Sequence, residues 1–141
     1  MGDKPWKQWR EDLLWFAGLL EGEGYFGRAN QTVRLDLWMT DLDVVERASR
    51  FVGSKVYHRK LRCSMRKPSY GFTLTGPKAA SWMMTLYSLL GKRRRHQIAY
   101  SLLEWQKLRA KTSRKWTTAN WLRVYAGLKP LDRYGRERTS A

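Results

Sequence analysis

The sequence predicts an α+β domain in which one antiparallel sheet of four strands carries its helices on a single face. Three observations lead there. Residues Val33 to Thr40 alternate apolar and polar without a break, the period of a half-buried strand. Other stretches repeat apolar residues at the three- and four-residue spacing of amphipathic helices. In chain order the segments run helix, strand, strand, helix, strand, strand, helix, with further helix beyond.

The first helix is marked by Leu13, Leu14, Phe16, Ala17 and Leu20, with Glu11 and Asp12 suited to its first turn and Gly22 and Gly24 to its end. Tyr25 to Ala29 reads as the hairpin partner of the alternating strand, turning at Asn30 and Gln31. In that strand Val33, Leu35, Leu37 and Met39 share one face, and Arg34, Asp36, Trp38 and Thr40 the other. Asp41 caps a helix built on Leu42, Val45, Ala48, Phe51 and Val52 and closed by Gly53. A third strand is expected where Tyr57, Leu61 and Cys63 alternate with His58, Lys60 and Arg62. Pro68 and Ser69 mark a turn, and Tyr70, Phe72 and Leu74 alternate with Gly71, Thr73 and Thr75 on the returning strand. Pro77 opens a helix with Ala79, Trp82, Met83, Leu86 and Leu90 as its stripe, ending at Gly91. The basic run Lys92 to Arg95 then precedes a helix through Leu108, and a last helix is expected around Thr117 to Ala126. Loose ends are expected at Met1 to Pro5 and Asp132 to Ala141. The 141 residues fit one domain, with its core over about 9–108 and a helical extension and basic tail over 109–141.

Charge narrows the function. Lys and Arg number 28 against 12 Asp and Glu, a formal net charge of +16 that favours a polyanionic partner, because neutralising phosphates releases condensed counterions. The longest apolar run, Leu13 to Leu20, is far short of the ~20 residues that span a bilayer, so no membrane partner is expected. No basic–apolar–small cleavage pattern opens the chain. Cys63 has no second cysteine to pair with and no Cys or His cluster for zinc, which suits a reducing compartment, the cytoplasm or an organellar matrix. The second face of the strands gathers Arg34, Asp36, Trp38 and Thr40 with His58, Lys60 and Arg62, groups that can read base edges in a groove. Arg28 and Gln31 from the first hairpin join them as candidates, although an inward Phe26 would turn Arg28 inward too unless a bulge intervenes.

Phe16-Ala17-Gly18-Leu19-Leu20-Glu21-Gly22-Glu23-Gly24 resembles the LAGLIDADG motif, with Phe for the first Leu, Leu for Ile, Glu for both Asp residues and Gly for the second Ala. Together with the element order, it makes the chain similar over about 9–108 to the LAGLIDADG homing endonucleases, and so predicts their αββαββα core with a four-stranded DNA-binding sheet and extra C-terminal helices. The resemblance implies site-specific, Mg²⁺-dependent double-strand cleavage at a long pseudo-palindromic DNA site, with Mn²⁺ able to substitute and no small-molecule cofactor. The alternative is a non-cleaving relative, an intron-splicing maturase or a transcription regulator.

The same resemblance assigns residues. Gly18 and Gly22 lie four apart on one helical face and let the backbone approach another helix closely. With one motif per chain, that helix is implied to belong to a second copy, giving a homodimer whose interface includes Gly18, Leu19, Glu21 and Gly22. Surplus apolar residues Leu13, Leu19 and Leu20 are expected to add to that surface. Glu23 matches the catalytic, metal-binding acid, the Gly22 carbonyl is implied as a further ligand, and Glu21 matches the structural acid. Asp41 falls where relatives place a polar residue that positions the attacking water. Arg94 first and Lys92 second fall where relatives keep a cation beside the scissile phosphate.

Overall fold

The computed structural model describes residues 5–60 and 67–129, with backbone alone for 112–122 and 125. In order it forms α1 (Pro5–Glu23), β1 (Gly24–Ala29), β2 (Thr32–Met39), α2 (Leu42–Val52), β3 (Tyr57–Arg59), β4 (Ser69–Thr75), α3 (Gly76–Leu86), a short 3-10 turn (Tyr87–Leu89) and α4 (Lys92–Tyr125). The strands make one antiparallel sheet in the order β1-β2-β4-β3. This is the expected α+β architecture. The chain divides into two compact units, Met1–Leu102 and Leu103–Ala141.

In the first unit the core lies between the helices and one face of the sheet. Val33, Leu35 and Leu37 of β2 are fully buried, with Phe26 of β1 and Phe72 and Leu74 of β4 beside them. Against these pack Leu13, Phe16, Ala17 and Leu20 of α1, Val45, Ala48 and Val52 of α2, and Ala79, Ala80, Met83 and Leu86 of α3. Phe16 stands edge-on to both Phe51 and Trp82, with centroids 5.6 Å away in each case, so one aromatic cluster joins the three helices. Outside it, Arg47 lies 3.9 Å over the Trp15 ring and pairs with Asp12 at 3.2 Å, tying α1 to α2.

The first hairpin closes as expected. Ala29 pairs with Thr32, and Asn30 takes the left-handed conformation (φ 55) that asparagine tolerates in a two-residue turn. At the other end of β1, a Cβ on Gly24 would stand 2.7 Å from the Leu20 carbonyl oxygen, so only glycine lets the chain leave α1 directly into the strand.

Several boundaries differ from the sequence reading. Helix α1 begins at Pro5, a residue pre-shaped for a first helical position, so Glu11 and Asp12 lie in its middle. Ser69 belongs to β4 rather than to the turn. The basic run forms the first turn of α4 instead of preceding it, and the two expected C-terminal helices are one helix of 34 residues. No glycine or proline interrupts that stretch. In the second unit the helix ends on Gly127 (φ 74), with the Leu128 N–H donating to the Arg123 carbonyl at 2.8 Å.

The largest difference is at β3. Tyr57 pairs with Gly71 and Arg59 with Ser69, which places Tyr57 and Arg59 on the face opposite the helices. His58 pairs with Tyr70, itself opposite the core-facing Met39, so His58 takes the helix-side register and stacks on Tyr70 at 5.0 Å. The expected outward set of His58, Lys60 and Arg62 is therefore one residue out of phase. Lys60 lies beyond the strand and is exposed, and Arg62, like Leu61 and Cys63, lies outside the described residues.

Candidate functional site

Glu23 is the last residue of α1 and is exposed, one residue before the sheet begins. Two charged groups tie the helix end that carries it to the start of α4. The Glu21 carboxylate accepts the Gly91 N–H at 2.8 Å, and Gly91 supplies the carbonyl to which Arg95 donates in the first turn of α4. A carboxylate here complements free N–H groups in a turn otherwise crowded with cations. In return, Arg94 donates from Nε to the Glu21 carbonyl at 3.0 Å and from its amino groups to the Gly22 carbonyl at 3.3 Å and Gln97 Oε1 at 3.2 Å. It thereby satisfies carbonyls of the last turn of α1 with the charge that end of a helix favours. Its guanidinium also stands 5.8 Å from the Phe26 centroid, within cation–π range.

Arg94 is only 6% exposed. Burial, and behind it the charge of Arg93, lower its pKa from the usual guanidinium value, while Glu21 and Glu23 pull the other way. The side chain expected to meet a scissile phosphate thus holds the backbone of the motif. Lys92, the second expectation, is exposed at the start of α4. Asp41 occupies the N-cap position of α2 through its carbonyl, which accepts from Val45 at 3.2 Å, but its side chain makes no capping hydrogen bond. Among the described residues no three His, Cys, Asp or Glu side chains converge as a metal cluster.

One face of α1 has no cover among the described residues. Gly18 and Gly22 are exposed, and a Cβ built on either meets nothing within 4 Å. Leu14 lies on the same side at 50% exposure, while Leu19 is half-buried. The surplus apolar residue is therefore Leu14; Leu13 and Leu20, expected to be outward, are in the core.

The second surface is the sheet face away from the helices. Arg34, Asp36 and Trp38 point there from β2, an inner strand between the edge strand β1 and β4. Asp36 pairs across to Tyr25 and Thr73, Arg34 to Gly27 and Thr75, and Trp38 to Gly71 and through it to Tyr57. At Gly71 a Cβ would collide with the Leu37 carbonyl oxygen and with the Trp38 ring. Arg59 lies 4.0 Å over the Trp38 ring, bringing a cation to the same face. Arg34 and Asp36 form an ion pair whose hydrogen bond raises the Arg34 pKa above its usual value, against a smaller opposing effect of burial. Thr40 is exposed just past the strand, Gln31 is exposed in the hairpin turn, and Arg28 is exposed opposite Val33, in helix-side register at the open end of the sheet. Tyr25, Tyr57, Arg59, Thr73 and Thr75 were not expected on this surface; the pairing of β3 with β4 reveals Tyr57 and Arg59, and the pairings of β2 with β1 and β4 the other three.

This architecture is the fold of the LAGLIDADG homing endonucleases. It is shared with two crystal structures of the homing endonuclease I-CvuI. One is in complex with the I-CreI target C1221 in the presence of 2 mM Mg with DNA not cleaved, at a TM-score of 0.54 and 17% identity, covering 72% of this chain and 69% of that one. The other is in complex with its target Sro1.3 in the presence of 2 mM Ca, at a TM-score of 0.56 and 16% identity, covering 75% and 73%. At such identities the likeness is one of fold. Neither a family model nor a curated protein sequence matches the chain. No helix among the described residues is long and apolar enough to cross a membrane.

Proposed function

We propose that the protein is a site-specific DNA endonuclease that acts as a homodimer and uses Mg²⁺. The observation that carries this is the placement of Glu23: an exposed carboxylate at the end of a helix with an uncovered, glycine-bearing face, where the chain enters a sheet whose open face bears arginines and hydrogen-bonding groups. Pairing the Leu14–Gly18–Gly22 faces of two copies about a twofold axis would bring two Glu23 residues together, one for each DNA strand.

The donors fit a hard divalent cation. Glu23 offers carboxylate oxygens and Gly22 a carbonyl, which has a second lone pair besides the one facing Arg94. The remaining ligands would come from the second copy and from DNA phosphate oxygens. Such a cation polarises the scissile phosphate and eases ionisation of the attacking water. Within the chain, Arg94 and Glu21 fix the helix end so that Glu23 and the Gly22 carbonyl are already oriented. Arg94 is thus a positioning residue in this reading, and Lys92 the cation free to face phosphate. Asp41, with its carboxylate not engaged in capping, can accept a proton or orient water.

The deciding experiment is cleavage by Glu23→Gln of a target selected from random DNA by the wild-type protein. The substitution keeps side-chain size and removes the charge that holds the cation. Metal-assisted stabilisation is worth several kcal/mol, so turnover should fall by at least about a hundredfold, with metal-free binding retained. Double-strand cleavage at the wild-type rate would remove Glu23 from the role. Binding without cleavage by the wild-type protein, in Mg²⁺ or Mn²⁺, would instead favour a maturase or regulator.

A further inference from the structure

On β2 the pair Arg34–Asp36 is built in a way that a solvated surface ion pair is not. Asp36 is only 6% exposed, and its Oδ2 engages the Arg34 amino group while its Oδ1 is buried with no partner. Arg34 Nε and Trp38 Nε1 are likewise buried and unmet. Burying a polar atom without a partner costs roughly 1–3 kcal/mol, so this stretch is not arranged for the stability of the free chain alone. Its neighbours say which group faces outward. Arg34 is flanked by Gly27 on β1 and Thr75 on β4, both small, and its side chain remains about a third exposed at 35%. Asp36 sits lower, between Tyr25 and Thr73, with Arg34 as its one hydrogen-bonded partner among the described residues. The aspartate is dedicated to the arginine, and the arginine rises from a shallow row.

We propose that Arg34 is a base-reading residue that recognises a guanine in the major groove, and that Asp36 is the positioning residue that holds its guanidinium plane. This rests on the reading of the sheet face as a DNA-binding surface. Guanine alone presents two acceptors, N7 and O6, side by side on its major-groove edge, the spacing of a guanidinium's paired donors. A guanidinium fixed by a carboxylate forms that pair with less loss of side-chain freedom than a free one. A phosphate can also take two parallel bonds from a guanidinium, but that contact would be the same on every sequence, which separates the two roles by measurement.

The test is selection of bound duplexes from a randomised DNA library by the full-length wild-type protein, Arg34→Lys and Asp36→Asn, with thermal unfolding recorded for each. The wild-type motif should contain a guanine at a position repeated by the twofold symmetry of the site. Arg34→Lys keeps the charge and loses the paired donors, so preference for that guanine should fall by on the order of ten- to a hundredfold while other positions keep theirs. Asp36→Asn should reduce the same preference by a smaller factor, with the salt dependence of binding unchanged. An unchanged motif in Arg34→Lys, or an affinity loss spread evenly over all sequences, would overturn the assignment even though DNA binding stands. Loss of thermal stability in Asp36→Asn with the wild-type motif intact would make the pair structural. A wild-type protein that binds no duplex would remove both this inference and the reading beneath it.

Discussion

At the scale of single residues, the proposed role of Glu23 and the Gly22 carbonyl would require both to be held at a helix end, where backbone groups lack partners within the helix. Arg94 and Glu21 meet that requirement by exchanging charges between two helix ends. The motif pointed to Glu21 as a structural acid but not to its partner, the Gly91 N–H. The same resemblance marked Arg94 as a cation for phosphate, and the hydrogen bonds that hold it on the backbone of the motif link residues 72 and 73 apart in sequence, beyond the reach of any local pattern. The exchange has a measurable consequence. Arg94→Met keeps much of the apolar stem and leaves the Glu21 and Gly22 carbonyls unpaired, which should destabilise the fold by roughly 1–3 kcal/mol. Single-turnover cleavage should fall while affinity for DNA stays near wild type, because the helix end is disordered and the sheet face is not. A variant with wild-type unfolding temperature, or one that loses binding rather than turnover, would return Arg94 to the phosphate.

At the scale of elements, legibility followed burial. Helix α1 and strand β2 were readable because each has one face in the core: Leu13, Phe16, Ala17 and Leu20 on the helix, Val33, Leu35 and Leu37 on the strand. Strand β3 has three residues, all exposed, so no buried face fixes its register and a one-residue slip in reading it carries no hydrophobic penalty. Only the pairing with β4 settles that Tyr57 and Arg59, not His58, share the face of Trp38. The uncovered side of α1 is also an element-scale property. Among the described residues a Cβ on Gly18 would meet nothing within 4 Å, and replacing an exposed helical glycine with a better helix former should then stabilise the fold by up to about 1 kcal/mol. If two α1 helices meet there, the sign reverses. We therefore expect Gly18→Leu to sediment as a monomer of 16.7 kDa at micromolar concentration, where the wild type sediments at twice that mass. A Gly18→Leu protein that remains dimeric, or a wild type that is already monomeric and cleaves DNA, would rule out this face as the interface.

At the scale of the whole molecule, charge and topology act together. A formal charge of +16 per chain becomes 2 × 16 = +32 in a dimer, a field strong enough to draw DNA to any part of the surface. In the proposed reading the sheet would give the encounter a direction, since α1, α2 and α3 all pack on its other side and Arg34, Tyr57 and Arg59 lie on the face away from them. Two contributions to binding can therefore be separated by salt. If about 6–10 phosphates are neutralised, affinity should fall roughly 10³–10⁵-fold between 50 and 200 mM salt. Removing one phosphate-contacting charge from each chain should lower the slope by about two per dimer, whatever the DNA sequence. Arg59→Gln is the variant to compare, because Arg59 brings a cation to that face by stacking on Trp38 and has no carboxylate partner among the described residues, whereas Arg34 has Asp36. It should make binding weaker and less salt-dependent on random and selected DNA alike. A slope near zero in the wild type, or one that Arg59→Gln leaves untouched, would mean that the sheet face is not where the phosphates lie.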